Sequence, residues 1–88
     1  QVASGYQQIR TGSRGVYVCI AQDALTTLGY DTGGLDGVFG TRTNSSVISY
    51  QNKNGLQGDG IIGSLTWNSL MSNVVGKGAS STTILPTN

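Results

Sequence analysis

The fold is decided by two stretches, LDGVFGTRT (residues 35–43) and GDGIIGSLT (residues 58–66), which repeat one local pattern within a chain of 88 residues. Aligned on Asp36 and Asp59, the two copies lie 23 residues apart. Asp-Gly predicts a tight turn, because aspartate accepts hydrogen bonds from the backbone just ahead of it and glycine tolerates positive φ. The Gly-Thr or Gly-Ser that follows predicts a helix start with a capping hydroxyl. The residues that we assign to the turns are Asp36, Gly37, Gly40, Asp59, Gly60 and Gly63.

The repeat extends backwards from each turn into a helix. Apolar residues at spacings of three and four predict helices over about residues 14–28, 42–54 and 65–75. Gly29 and Gly55 stand at matching places and predict left-handed helix ends. A third Gly-Ser pair, at residues 12–13, predicts the start of the first helix. We therefore predict an all-α fold, a compact three-helix bundle with two Asp-Gly turn loops.

The chain is long enough for one domain with a small core. We expect residues 1–8 to be an N-terminal linker, residues 9–75 to form the domain, and residues 76–88 to be a flexible C-terminal tail or linker. Residues 82–85 are the clearest β-branched run outside the helices. Ile9 is expected to pin the entry segment to the bundle.

The charge balance excludes several classes of partner. Five basic residues against four acidic ones give a net charge of +1, and the basic residues are scattered, so neither nucleic acid nor an anionic membrane is an expected partner. No stretch approaches the ~20 apolar residues that cross a bilayer. Only 10% of the residues are charged while small polar residues are abundant, which favours an extracellular or wall-associated protein.

The residue types present also argue against metal binding, disulfide formation, nucleophilic catalysis and cofactor binding. The chain has no histidine and one cysteine, Cys19, so we predict no metal site, no internal disulfide and no histidine-activated nucleophile. The GxGxxG pattern at residues 58–63 follows a helix and not a strand, which argues against a dinucleotide site, and no cofactor is expected. Asp36 and Asp59 could serve as a general acid and base in glycoside hydrolysis, but the turn pattern explains both without catalysis.

Short motifs in a fixed order resemble one known domain family. They are Gly12-Ser13-Arg14-Gly15, Val18-x-x-Ala21-Gln22-x-x-Leu25-x-x-Leu28-Gly29-Tyr30, Asp36-Gly37-Val38-Phe39-Gly40-x-x-Thr43, Val47-x-x-Tyr50-Gln51, Gly55-Leu56 and Asp59-Gly60-Ile61-Ile62-Gly63-x-x-Thr66-Trp67-x-x-Leu70. Over about residues 9–75 the chain resembles the type 1 peptidoglycan-binding domain. The resemblance implies a non-catalytic three-helix module that anchors an attached bacterial wall-lytic enzyme, such as an amidase, peptidase or glycosidase, to its polymer. It also implies an extracellular, cell-wall-associated location. The chain departs from the family pattern at Ala21, usually leucine, and at Thr41-Arg42, often a proline start.

A peptidoglycan groove would need aromatic faces, amides and a cation for carboxylates. The side chains that we predict to line it are Arg14, Gln22, Tyr30, Arg42, Tyr50, Gln51, Asn54 and Trp67. Each has a structural alternative: the Tyr50 and Trp67 rings suit the core, and the arginines suit a solvated first helical turn. The amides of Gln22 and Gln51 fall beside apolar helix faces, where they could instead tie each helix to an Asp-Gly loop.

Three functions follow, from different classes. The first is wall binding, with glycan strands or stem peptides and a covalently linked catalytic domain as partners. The second is a structural or regulatory prodomain that packs on its own enzyme. The third is hydrolysis through the two turn aspartates, which would release soluble muropeptides.

Overall fold

A computed structural model describes residues 6–76 of the chain. Three helices follow one another: α1 (Val16–Thr27), α2 (Thr41–Lys53) and α3 (Ser64–Gly76). Helix α1 packs against both α2 and α3. Within the described range no extended strand forms, and residues 9 and 62, and 14 and 38, pair only as isolated antiparallel bridges. The prediction of an all-α, three-helix fold is confirmed, with each boundary within two residues of the predicted one.

The first helix begins two residues after its predicted start at about residue 14. The Gly-Ser pair at residues 12–13 forms a turn, and α1 begins three residues later, after Gly15. The intervening backbone bonds to the first Asp-Gly turn instead: Gly12 N donates to Phe39 O at 3.0 Å, and Gly15 N donates to Gly37 O at 2.9 Å. This long-range pairing satisfies backbone amides that precede the helix and have no acceptor within it.

The expected hydroxyl caps are absent at the first two helices of the described chain. Gly15 and Gly40 occupy the N-cap positions of α1 and α2, and no side chain caps either helix. At the other ends the predicted glycine stops are present. After α1, Gly29 has a φ of 95° and Tyr30 N donates back to Leu25 O at 2.8 Å. Leu56 N donates to the carbonyl of Gln51 in the same way after α2, so the chain reverses sharply at both places.

The core lies between the three helices and includes residues from the turns. Its buried apolar members are Ile9, Val18, Ala21, Ala24, Leu25, Phe39, Val47, Tyr50, Ile62, Trp67 and Leu70. Ile9 exchanges backbone hydrogen bonds with Ile62 at 3.2 and 2.9 Å, which attaches the entry segment before α3. The expected role of Ile9 as an anchor is therefore confirmed.

The packed part of the chain begins earlier than the predicted domain boundary at residue 9. The ring of Tyr6 lies 4.7 Å from that of Trp67, between centroids, and Trp67 Nε1 donates to Gln7 O at 2.9 Å. Residues 6 and 7 are thus docked on the core and do not form a free linker. The predictions for residues 1–5, for the tail at residues 77–88 and for the β-branched run within it lie outside the described residues. No helix in the described part is long and apolar enough to cross a membrane.

Candidate functional site

The first Asp-Gly loop (residues 35–40) is held on α1 by one buried glutamine. Gln22 Nε2 donates to Asp36 Oδ1, to Val38 O and to Thr43 Oγ1, each at 3.1 Å. Its Oε1 accepts from Gly37 N at 3.0 Å. The side chain is fully enclosed, so the amide ties the helix, the loop and the first turn of α2 together.

The second Asp-Gly loop (residues 58–63) is held on α2 by the same set of bonds. Gln51 Nε2 donates to Asp59 Oδ1 at 3.2 Å, to Ile61 O at 2.9 Å and to Thr66 Oγ1 at 3.2 Å. Gly60 N donates to its Oε1 at 3.0 Å. The two glutamines were predicted either to line a ligand groove or to bond each helix to an Asp-Gly loop. The hydrogen bonds show that they bond the helix to the loop.

The two turn aspartates have structural partners as well. Asp36 Oδ1 also accepts from Val38 N at 3.0 Å, and Asp59 Oδ1 accepts from Ile61 N at 3.0 Å. The Val38 amide, followed by the Gln22 amide, lowers the pKa of Asp36 from its ordinary value of 3.8. A general acid needs a raised pKa, so this carboxyl is poorly suited to donate a proton near neutral pH.

A shallow depression of about 300 Å³ lies over the first loop and the start of α2. Its lining residues are Thr32, Gly33, Asp36, Val38, Gly40, Thr41, Arg42 and Thr43. Arg42 forms one wall, and its Nη2 lies 2.8 Å from Asp31 Oδ2 in an exposed ion pair. The lining therefore combines the positive side chain of Arg42 and the negative side chain of Asp36 with threonine hydroxyls and the backbone of two glycines.

A second depression, of about 350 Å³, lies over the second loop and the start of α3. Its lining residues are Gln8, Gln51, Leu56, Gln57, Asp59, Ile61, Gly63, Ser64, Leu65 and Thr66. Apolar side chains form much of its wall, and Leu65 is 76% exposed. The first depression and the second depression thus occupy equivalent places in the two copies of the turn pattern.

The eight side chains predicted to bind ligand fall into two groups in the structure, four buried and four at or near the surface. Gln22, Tyr50, Gln51 and Trp67 are fully buried, although Gln51 reaches the floor of the second depression. Tyr50 OH lies 2.6 Å from Ser69 Oγ, which engages its polar end inside the fold. These four side chains stabilise the domain and do not face solvent.

The other four predicted side chains lie at or near the surface and are not gathered at one place. Tyr30 is half-buried, with its ring edge-on to Tyr50 at 5.6 Å between centroids. Asn54 Nδ2 donates to a carbonyl of its own helix, at residue 50. Arg14 is exposed beside the first loop, and of these four side chains Arg42 alone lines either of the two depressions described above.

Sequence reasoning missed most of the residues that line the two depressions. Thr41 and Ser64 stand directly after the repeated glycines, Leu65 stands one residue further on, and Gln57 stands before the second turn. The signal that could have found them was the repeat itself, because equivalent turns followed by equivalent helix starts create equivalent surfaces. Among the described residues, no group of three acidic, cysteine or histidine side chains is placed to hold a metal ion.

Comparison with known proteins places this geometry in a family. The chain is 42% identical over 65 residues to N-acetylmuramoyl-L-alanine amidase CwlM from Mycobacterium tuberculosis, a match that covers 74% of this chain and 16% of the amidase. The crystal structure of the SleB N-terminal domain superposes with a TM-score of 0.76 at 36% identity, covering 80% of this chain and 96% of that one.

A peptidoglycan-binding protein from Clostridioides difficile, solved in complex with glutamine hydroxamate, gives a TM-score of 0.75 at 46% identity. That match covers 77% of this chain and 42% of the other. The chain therefore spans less than a fifth of the length of the amidase and under half of the clostridial protein. The sequence profile described as "Putative peptidoglycan binding domain" matches residues 14–70. The chain belongs to this family of peptidoglycan-binding domains.

Proposed function

We propose that the chain is a non-catalytic anchor that holds a covalently attached wall-lytic enzyme on peptidoglycan outside the cell. The observation that carries this proposal is the pair of equivalent depressions, each supported by a buried glutamine network on one small domain. A preformed surface binds without first being ordered, which reduces the entropy lost on binding. Two such surfaces on one domain suit a polymer that repeats the same chemical groups.

The chemistry of the described residues favours binding over catalysis. One carboxylate oxygen of each turn aspartate accepts a hydrogen bond from the backbone of its own loop, and the pKa of Asp36 is lowered. The sequence contains no histidine to activate a serine or cysteine. The activity of the longer protein would then come from the attached enzyme, in the way that the amidase relative carries a similar segment within a much longer chain.

Weak binding by such shallow surfaces is sufficient for anchoring. An enzyme tethered to its polymer experiences a high effective concentration of substrate, so modest affinities at two depressions reinforce each other. The proposed ligands are the glycan strands and stem peptides of the wall.

Cosedimentation of the chain with purified cell-wall sacculi tests the proposal, and the helices offer matched controls. Thr41→Trp and Ser64→Trp would place bulky rings in the first and second depressions. Ser49→Trp and Ser72→Trp place the same ring on exposed sites of the same helices, away from both depressions. We expect the wild-type chain and the control pair to pellet, and the blocking pair to remain in solution.

The proposal fails if the wild-type chain does not pellet, or if the blocking pair pellets as well as the control pair. Far-UV circular dichroism of each variant establishes that the substituted sites tolerate the ring. Release of soluble muropeptides by the chain alone would contradict the non-catalytic part of the proposal.

Exposed apolar side chains favour a second candidate, a prodomain that packs on its own enzyme. Val16 is 67% exposed and Leu35 is 55% exposed, which is large for aliphatic residues in a small domain. A prodomain would itself remain in the supernatant when the sacculi are pelleted, and would inhibit the attached enzyme, with the inhibition relieved by Val16→Ser and Leu35→Ser.

A further inference from the structure

The two depressions share six aligned positions but differ in charge. The aligned pairs are Asp36 with Asp59, Val38 with Ile61, Gly40 with Gly63, Thr41 with Ser64, Arg42 with Leu65, and Thr43 with Thr66. Five of these pairs are identical or similar in chemistry. The exception is Arg42, which occupies the position in the first depression that Leu65 occupies in the second.

The guanidinium of Arg42 is able to accept a further partner. Its Nη2 bonds to Asp31, but both side chains are about 70% exposed, at 68% and 71%, and such exposed ion pairs contribute little. Arginine carries five N–H donors in a planar fork, so a ligand carboxylate can bind beside or in place of Asp31.

The segment around Asp31 holds Arg42 in place from one side. A Cβ atom on Gly33 would lie 3.0 Å from Arg42 Cδ, so the backbone there packs closely against the arginine stem. Gly33 N also donates to Asp31 Oδ1 at 2.9 Å, which orients the carboxylate that the guanidinium meets. The cation is therefore positioned by its surroundings even though its tip is open to solvent.

The negative group of the first depression is equally open. Asp36 Oδ1 accepts from Val38 N and Gln22 Nε2, but Oδ2 has no hydrogen-bond partner among residues 6–76. Asp36 therefore presents a fixed, ionised oxygen to the same depression that Arg42 borders. A ligand carboxylate alone would pair only with Arg42, and a lone ammonium would pair only with the aspartates. A group that carries both charges pairs with both walls of the depression.

We infer that the first depression binds a zwitterionic end of a peptidoglycan stem peptide, with Arg42 pairing its carboxylate and Asp36 its ammonium. A diamino acid whose side chain ends in both groups has this chemistry. The second depression lacks a cation and does not bind it, since Leu56, Ile61 and Leu65 give that surface an apolar wall. This inference rests on the proposed function and assigns one part of the polymer to one depression.

Amide chemical-shift mapping of the labelled chain with a sugar-free synthetic stem peptide tests the inference. The peptide carries a diamino acid with a free side-chain ammonium and carboxylate. We expect shifts at Gly33, Gly40 and Thr41, and none at Gly63 or Ser64. Acetylation of the ammonium, or amidation of the carboxylate, removes one ionic hydrogen bond each and should weaken binding roughly tenfold or more.

The repeat supplies a matched pair of variants. Arg42→Leu gives the first depression the residue of the second, and should weaken binding of the peptide roughly tenfold or more. Leu65→Arg adds the missing cation beside Asp59 and should raise the stoichiometry from one peptide to two. Both positions are exposed, so neither change removes a buried contact, and the dispersion of the amide spectrum verifies the fold.

The failure of this inference is distinguishable from that of the proposed function. Two results would overturn the assignment while leaving anchoring in place, provided that the wild-type chain pellets with sacculi. One is that Arg42→Leu binds the peptide as tightly as the wild type. The other is that the peptide changes the amide chemical shifts of both depressions equally. If the wild-type chain does not pellet, anchoring itself fails.

Discussion

Replacing Gln22 with leucine tests whether one buried amide holds the first Asp-Gly loop on α1. The side chain is fully buried and makes four hydrogen bonds, three through Nε2 and one through Oε1. Leucine fills a similar volume but leaves Gly37 N–H and Val38 C=O without a partner. Each unpaired buried group costs about 1–3 kcal/mol, so we expect the free energy of unfolding to fall by about 2–5 kcal/mol.

Such a loss is large for a chain of this size. At roughly 0.05–0.15 kcal/mol per residue, the free energy of unfolding of the wild type is about 4–13 kcal/mol. The measurement is urea unfolding followed by the fluorescence of Trp67, the single tryptophan, and by far-UV circular dichroism. Gln51→Leu should lose a similar amount, because its four hydrogen bonds are equivalent.

Gln57→Leu is the matched control, since the Gln57 side chain is exposed and makes no hydrogen bond within the described part of the chain. Its free energy of unfolding should change by less than about 0.5 kcal/mol. The reasoning is refuted if Gln22→Leu differs from this control by less than about 1 kcal/mol, because the amide would then not be required by the loop.

Three further predictions concern the loops and the entry segment. Gly37→Ala should lower the free energy of unfolding, measured by thermal unfolding, by about 1–3 kcal/mol, because φ is 74° there and a Cβ atom would lie 3.2 Å from a cysteine sulfur of α1. Gly63→Ala is the control and should lower it less, because a Cβ atom there would have no atom within 4 Å and φ is not positive. The folded state lowers the pKa of Asp36, so its stabilising contribution is complete above the ordinary value of 3.8 and is lost as the pH falls below it. Asp36→Asn should therefore show a smaller decrease in Tm than the wild type between about pH 4 and pH 2, and an equal decrease would contradict this. Trp67→Phe removes the hydrogen bond to Gln7 O and part of the core, and should cost about 1–4 kcal/mol in urea unfolding followed by circular dichroism.

The helices could be predicted from the sequence because their signals are local. Apolar spacing places each helix, and the reversals after Gly29 and Gly55 need only the residues next to them. The exact start of α1, two residues after the predicted one, could not be predicted in this way. The amides around Gly12 bond to the first Asp-Gly loop, more than twenty residues away, and no local pattern records that pairing.

The candidate site was harder to predict for a related reason. The sequence favours aromatic rings as the binding surface, but a domain this small needs its largest side chains for its core. Trp67 and Tyr50 are accordingly buried, and the entry segment covers the tryptophan. The depressions are lined instead by hydroxyls, amides and aliphatic side chains whose types carry no functional signal by themselves. Of the predicted side chains on the surface, Arg42 is the one that lines either of the two described depressions.

The buried glutamines explain how a loop surface can change its chemistry without loss of the fold. Each amide satisfies the polar backbone of its own loop, and within residues 6–76 the two loops keep the same shape with only isolated backbone bridges beside them and no extended sheet. The glutamines, turn aspartates and threonines of the networks are identical in the two copies, because the hydrogen bonds require them. Arg42 and Leu65 lie outside the networks and differ. A rigid support with a variable rim would let one domain present two different surfaces to one polymer, at little cost in stability.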